Sequence, residues 1–573
     1  MAQNVTERVS PVRAGRLPPH VRFFLWRSKK GMPAPLYDVR VERGIEVPMP
    51  DGTRQFADRY IPQADVPCPT LLVRTPYGRG FPYDFMYGAM FAQQGFTVVV
   101  QSCRGTAGSG GEFEPFAAEA ADAQATVAWL REQDWFTGAL GAIGASYLGF
   151  TQWALAADPP PELKAMVIQV SSDDFHNFLY PGGAFALEAT LTGVSSMVAQ
   201  HRGFGATAAA LLRLLRTYKK VERSVPLLDG YEPAFGQRVP WFEEWLRRPA
   251  AGDPYWEPRR ARPAIAAAPP VSLLGGWSDI LLDDTLASYQ RLRAAGREVR
   301  LIVGPWNHTS AFNKDLPTVF AEALGWLRAH LQAPPLSAPA GTVAQAPGPT
   351  RVRVHVGAAG GPGQWRDLAD WPPPESSQQQ WRLRGDGALL AGDGETDGTA
   401  TVRYDPATPT PSVGGPRMDS LRFGPQRNNA LEAREDVLVY TSEPLAEPLE
   451  VIGRVSIRLR VRGSSPYFDV FARLCDVDEK GTSWNACDGL LRLDAAAERD
   501  ESGWAAIEVA MSSTAHRFGA GHRLRVQVSG GAHPRFARNT GTAEQIATAT
   551  SMMPVDIEVS LASAALSLPV TTS

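Results

Sequence analysis

The sequence predicts an α/β domain with a parallel sheet and an inserted helical cap, followed by an all-β jelly roll. Three observations predict this. Continuous apolar strands alternate with helical segments up to residue 171 and again from 263, the pattern of a parallel sheet covered on both faces. Between 172 and 262 the alternation breaks, and only helical signals appear. Beyond a Pro/Ala/Gly-rich stretch at 331–350, short alternating strands separated by turn signals take over. The length agrees, since 573 residues exceed the ~250–300 at which one core stops growing. The expected division is 1–171 with 263–335 for the α/β domain, 172–262 for the cap and 351–573 for the jelly roll.

Residues 38–62 read as two strands around the turn Asp51-Gly52. Two solid apolar runs follow, Thr70–Arg74 and Phe96–Gln101, with a helical stretch at Phe85–Gln94 between them. Glu119–Gln133 is a helix, with Ala, Val and Leu at three- and four-residue spacing. A strand at Leu140–Ile143, a helix at Tyr147–Ala157 and strands at Ala165–Val170, Val271–Leu274 and Val299–Val303 complete the α/β pattern. The cap shows helices at Leu187–Ala199, Ala206–Tyr218 and Trp241–Arg247. Within it Leu211–Lys220 is basic and amphipathic; it suits an anionic surface or, more simply, a cap helix with a solvated face. The jelly-roll strands are expected at Val352–Val356, Gln380–Leu383, Val437–Thr441, Leu449–Val461, Phe468–Cys475, Leu524–Val528 and Val555–Leu561.

Composition excludes several classes. With 44% hydrophobic and 20% charged residues the chain is globular, not disordered. Lys plus Arg total 57 against 60 Asp plus Glu, so nothing points to nucleic acid. No apolar stretch is long enough to span a membrane, and the N-terminus lacks the apolar core of a secretory signal. The expectation is a cytoplasmic protein with no membrane or nucleic-acid partner; a homo-oligomer stays open. Four cysteines form no CxxC pair; Cys475 and Cys487 are either a bridge or, as favoured, two buried thiols.

The chemistry concentrates in Leu140–Trp153, LGAIGASYLGFTQW. A strand runs into Gly144-Ala145-Ser146-Tyr147-Leu148-Gly149 and a helix follows, so Ser146 sits on a sharp bend with small neighbours. The alternative is an ordinary strand–helix turn. A nucleophilic serine needs a base, and the base an orienting carboxylate. Two later strands end in Gly275-Gly276-Trp277-Ser278-Asp279 and Gly304-Pro305-Trp306-Asn307-His308. They put Asp279 and His308 at the strand ends where open α/β sheets bind ligands. Asp283 and Asp284 compete with Asp279, but read better as charges at a helix N-terminus.

The expected oxyanion donors are the Tyr147 amide and a group from the loop Arg74–Gly80, where the Tyr77 hydroxyl stands out; Tyr77 alternatively is a buried aromatic. The glycine-rich run Arg104–Gly111 lacks the Gly-Lys-Ser/Thr ending of a phosphate loop. No spacing suggests a metal, and no cofactor is expected. Asp173-Asp174 suits a substrate ammonium or, more ordinarily, a helix cap.

These pieces resemble the cocaine esterase/X-prolyl dipeptidyl-peptidase-type serine hydrolases, a family that includes α-amino-acid ester hydrolases. The matching stretches include RTPY (74–77), QSCRGTAGSGGEF (101–113), GASYLGFTQW (144–153), DPYW (253–256), GGWSD (275–279) and GPWNH (304–308). In the β region WRDLADWPPP (365–374), YDPATPTPSVGG (404–415), REDVLVYTSEP (434–444) and PRFARN (534–539) match too. The resemblance implies an α/β-hydrolase domain with an inserted cap and a C-terminal jelly roll. It implies Ser146 as nucleophile, His308 as general base and acid, Asp279 as its orienter, and Tyr77 with the Tyr147 amide as oxyanion donors. Positions that are acidic in relatives selecting an α-amino group fall on Leu281 and Leu282, so a neutral acyl ester is expected. Phe178, Tyr180 and Trp277 join Leu281 as expected substrate contacts. An X-prolyl-type peptidase, amidase or acyltransferase on the same scaffold is the alternative enzyme, and a binding protein using its jelly roll is the non-enzyme alternative.

Overall fold

The computed structural model describes residues 13–571 apart from 28–29, 200–201, 332–350, 393, 395–396 and 419–421. The expected linker, 331–350, thus lies outside the described residues except for Leu331. The first part of the chain is built on one sheet. Its strands are β1 (Arg13–Arg16), β2 (Val39–Pro48), β3 (Arg54–Pro62), β4 (Thr70–Thr75), β5 (Thr97–Ser102), β6 (Leu140–Ala145), β7 (Leu163–Gln169), β8 (Val271–Gly276), β9 (Val299–Gly304), β10 (Val352–Val356) and β11 (Gln364–Leu368), in the order β1-β2-β3-β5-β4-β6-β7-β8-β9-β10-β11. From β5 through β10 neighbouring strands pair in parallel.

Successive residues of one strand enter different cores, because side chains alternate across the sheet. Leu71, Val73, Val98 and Val100 pack on one face, with the cap. Leu72, Val99, Met166, Ile168, Leu273 and Leu301 pack on the other. Helices α1 (Glu119–Arg131), α2 (Tyr147–Leu155) and α5 (Leu282–Ala294) cover the sheet. The cap helices α3 (Leu187–Ala199) and α4 (Phe204–Glu222) come between β7 and β8. The expected helix at Phe85–Gln94 forms as a π-helical turn, Asp84–Ala89, running into a short α-helical one.

The observed fold departs from the expected one in three respects. Val352–Val356, expected to open the jelly roll, pairs in parallel with β9, Val352 opposite Leu301 and Val354 opposite Val303. β11 then adds antiparallel to it. A strand buried on one face alternates in the same way in either kind of sheet, so its pattern could not assign it. Second, α4 buries Ala210, Leu214 and Val221 but leaves Leu211, Leu212 and Leu215 at 52%, 53% and 67% exposure, so its outer face is partly apolar. Third, the structure adds elements the sequence pattern did not predict: the strands Arg13–Arg16, Gln364–Leu368, Leu389–Ala391, Thr399–Tyr404, Ser483–Leu493 and Ala505–Phe518 and the helix Leu316–Leu331.

The second part packs two antiparallel sheets face to face. One holds Leu389–Ala391, Ser376–Leu383, Val555–Thr571, Leu449–Gly463 and Ala505–Phe518, with Thr399–Tyr404 also on Val555–Thr571; the other holds Val437–Thr441, Arg523–Ser529, Phe468–Val477 and Ser483–Leu493. Val455, Ile457, Leu459, Leu474, Val526 and Leu566 fill the space between them. The fold is therefore an α/β-hydrolase domain with a jelly-roll-like β domain behind it.

The β domain holds the cap. Arg417 makes a two-pronged ion pair with the buried Glu188 of α3. The Ala537 amide donates to the Phe185 carbonyl at 2.8 Å, and the Leu227 and Leu228 amides donate to the Ile546 and Ala547 carbonyls at 3.1 Å. All four cysteines are buried and none forms a disulfide. No helix among the described residues is long and apolar enough to cross a membrane.

Candidate active site

Ser146 links β6 to α2 with φ 58° and ψ −123°, outside the regions open to most L-residues. The strain is tolerated because the surroundings are small. A Cβ at Gly144 would overlap Leu148, and one at Gly149 would overlap Ser171. The Ser146 amide donates to the Gln169 carbonyl at 2.9 Å, and its carbonyl accepts the Ser171 hydroxyl at 2.8 Å. Both bonds tie the bend to the neighbouring strand β7 and its exit.

The ends of β8 and β9 bring the other two groups to it. His308 Nε2 lies 2.9 Å from Ser146 Oγ, and His308 Nδ1 lies 2.8 Å from Asp279 Oδ1. Asp279 is 1% exposed and His308 9%. The chain around His308 is pinned locally, since Asn307 Oδ1 accepts the Ser310 amide at 2.8 Å. Tyr77, on the turn after β4, lines one cavity with Ser146, and burial raises its phenol well above the ordinary value, so the hydroxyl keeps its proton. The Tyr77 and Tyr147 rings meet edge to face at 6.3 Å. The Tyr147 N–H stands at the start of α2, ahead of the first helical bonds, which the Gly149 and Phe150 amides make to the Ser146 carbonyl.

Ser146 opens into a cavity of about 310 Å³. Leu281 and Phe178 line it as expected, beside Met86, Phe116, Phe150, Phe175, Met197 and Met418. Its described lining carries no Asp, Glu, Lys or Arg. Two expected substrate contacts lie elsewhere. Tyr180 turns into the cap, donating its hydroxyl to the Trp245 carbonyl at 2.8 Å. Trp277 turns toward β10, donating its indole N–H to the His355 carbonyl at 2.6 Å and packing on Trp371.

The missed lining had a partial signal. Ala189, Gly193, Ser196 and Met197 fall on one face of α3, and the three small residues leave the room that the cavity occupies. Phe116 and Met418 had none, since each arrives from a distant loop.

The acidic alternatives are accounted for. Asp174 caps the helix Phe175–Leu179 by accepting the His176 amide at 3.0 Å and pairs with Arg260. Asp173 pairs with Arg291 at 2.5 Å. Asp283 and Asp284 stand in the first turn of α5 and border a second cavity of about 410 Å³. Among the described residues no group of three His, Cys, Asp or Glu side chains converges as a metal site.

A serine, a histidine and a carboxylate in this order and geometry define the serine hydrolase class. Comparison with known proteins then supplies the family. Residues 51–310 match the family model described as X-Pro dipeptidyl-peptidase (S15 family), and residues 342–560 match the X-Pro dipeptidyl-peptidase C-terminal non-catalytic domain. Cocaine esterase of Rhodococcus sp. (strain MB1 Bresler) is 31% identical over 556 residues, covering 88% of this chain and 93% of its own. The solved structure of an α-amino acid ester hydrolase overlays with a TM-score of 0.73 at 21% identity, covering 95% of this chain and 99% of that one. An aminopeptidase from the marine sediment archaeon Thaumarchaeota archaeon gives 0.71 at 20% identity, covering 94% and 97%. The chain belongs to this cocaine esterase/X-Pro dipeptidyl-peptidase family and is a serine hydrolase enzyme.

One carboxyl near the site carries a pH signature. Burial first, then the neighbouring charges of Asp173 and Asp283, push Asp284 up to about 8. Some of its surface reaches the second cavity, yet the rest is enclosed. The folded state thus holds a proton that the unfolded chain releases near pH ~4. The group's cost to stability is absent below that pH, grows as pH rises toward about 8 and is constant above it. Asp284→Asn is expected to raise the Tm at pH ~8.5 by several degrees and to leave it unchanged near pH ~4. Thermal melts at the two pH values check this, and an equal gain at both would contradict it.

Proposed function

We propose that the protein hydrolyses esters of neutral, apolar acyl groups, with Ser146 as nucleophile. The observation that carries this reading is the Ser146–His308–Asp279 chain of hydrogen bonds at 2.9 and 2.8 Å, opening onto an uncharged, mostly apolar cavity. Ser146 Oγ attacks the acyl carbon while His308 Nε2 takes its proton. Asp279 holds His308 Nδ1–H, keeping Nε2 free as the base and stabilising the imidazolium that forms. The carbonyl oxygen gains negative charge between the Tyr77 hydroxyl and the Tyr147 amide. Collapse of that intermediate expels the alcohol, which takes the proton from His308. Water, activated by the same histidine, then attacks the acyl-enzyme and releases the acid.

The acyl group lies against Leu281, Phe178 and the aromatic wall of Phe116, Phe150 and Phe175. An ammonium on the acyl chain would lose its hydration there without meeting a counter-charge. Asp173 and Asp174, the nearest candidates by sequence, are engaged by Arg291 and Arg260. The 31% identical relative is named as an esterase, which agrees with an ester as the substrate class.

Three measurements test the reading. Ser146→Ala is expected to lower kcat by ~10³–10⁶ with the Tm preserved, and to abolish covalent labelling by a fluorophosphonate. Retention of a tenth of the activity would refute the nucleophile.

Tyr77→Phe is expected to lower kcat by ~10²–10³ with KM little changed, because its hydroxyl acts on charge that develops only in the transition state. A raised KM at constant kcat would make Tyr77 a substrate contact instead.

A phenylacetyl ester is expected to be cleaved with higher kcat/KM than the matching phenylglycine ester. Preference for phenylglycine at neutral pH would overturn the neutral-acyl assignment.

A further inference from the structure

Behind the Ser146 bend lies a buried polar cluster that the proposed chemistry leaves unused. Its centre is Glu119, the first residue of α1, 4% exposed. One carboxylate oxygen accepts the Tyr147 hydroxyl at 2.8 Å. The other faces Arg74 Nη1 at 2.8 Å, and Arg74 also donates to the Glu119 carbonyl at 2.9 Å. Arg74 is 2% exposed and lies near the end of β4, three residues before Tyr77. Between them the Tyr77 amide donates to Thr75 Oγ1 at 3.1 Å, and the Thr75 carbonyl accepts the Cys103 amide at 2.9 Å. The Tyr147 hydroxyl in turn accepts the Phe116 amide at 2.8 Å, and the Phe116 and Tyr147 rings stack at 4.2 Å. Phe116 holds a left-handed φ of 69° and forms part of the cavity wall.

One carboxylate therefore grips both segments that bear the oxyanion donors. On one side it holds the β4 end that leads into Tyr77. On the other it holds Tyr147, whose amide is the second donor. We propose that Glu119 is the positioning residue of the oxyanion hole, setting the separation of the Tyr77 hydroxyl from the Tyr147 amide. This inference rests on the reading of Ser146 and Tyr77 given above. Its physical basis is that oxyanion donors act at 2.7–3.1 Å from the developing charge, and a displacement of ~1 Å costs ~10²-fold. The bonds are well suited to that task. A buried ionic pair resists displacement, because separating it leaves a charge uncompensated away from water.

The test uses the full chain with Glu119→Gln, Tyr147→Phe and Tyr77→Phe, singly and as the Glu119→Gln/Tyr77→Phe double variant, with Ser146→Ala alongside. Tyr147→Phe removes only the hydroxyl that Glu119 holds, so it carries the test should Glu119→Gln fail to fold. Glu119→Gln is expected to lower kcat by ~10–10²-fold with KM held within ~3-fold, and Tyr147→Phe to reproduce part of that loss. In the double variant the losses are expected to fall well short of their product, because Glu119 then has one donor fewer to position. A merely structural glutamate would lower the Tm with kcat unchanged, or would multiply independently with Tyr77→Phe; either result overturns the proposal. Full activity in Ser146→Ala would overturn the nucleophile reading instead. An inactive Ser146→Ala beside fully active Glu119→Gln and Tyr147→Phe would overturn the Glu119 inference alone.

Discussion

The fold around the site depends on one backbone constraint, the positive φ of Ser146. That conformation lifts the serine oxygen clear of the sheet and starts a helix at the next residue. It also demands that nothing bulky stand beside it. Gly144 and Gly149 meet the demand from within the segment, and Ser171 meets it from the end of β7. A bent segment of this kind is held by its neighbours, not by its own preferences. Its amide and carbonyl are accordingly both bonded, to Gln169 and to Ser171.

The groups placed around the serine come from rigid strand ends. Thr70–Thr75, Val271–Gly276 and Val299–Gly304 are buried along their whole length and locked to their neighbours in register. The residues just beyond them, Tyr77, Asp279 and His308, inherit that rigidity. The cavity in front is made differently. Its walls come from a cap helix, from the Phe116 turn and from the Met418 loop, so its shape depends on how separate units dock.

This division explains what was legible in the sequence. Strands buried on both faces write an unmistakable apolar run, and the residues after them can be named without knowing anything distant. Ser146, Asp279 and His308 were readable on that account. Val352–Val356 was recognisable as a strand, but its sheet was not, since pairing with β9 across an intervening linker leaves no local mark. Phe468–Cys475 was readable as a strand, but the strand Ser483–Leu493 beside it carries polar residues at buried positions. Arg473 and Asp488 are both fully buried and lie 2.9 Å apart, so each looks like a surface residue until its partner is known. Tyr180 and Trp277 failed for a related reason: their positions in the chain were right, but the direction of each ring is set by a carbonyl from elsewhere, Trp245 and His355. Glu119 gave no signal at all, being one acidic residue at the start of a helix, where such residues are common.

Met418 belongs to the region whose family description is non-catalytic, yet it lines the cavity beside Ser146. Its neighbour Arg417 is anchored to the cap through Glu188. The two halves of the chain thus share authorship of the recess. Divergence among relatives can then re-shape what enters by altering a loop that never approaches the reacting bond. A chimaera that exchanges the β domains of two family members would transfer part of that selectivity along with the scaffold.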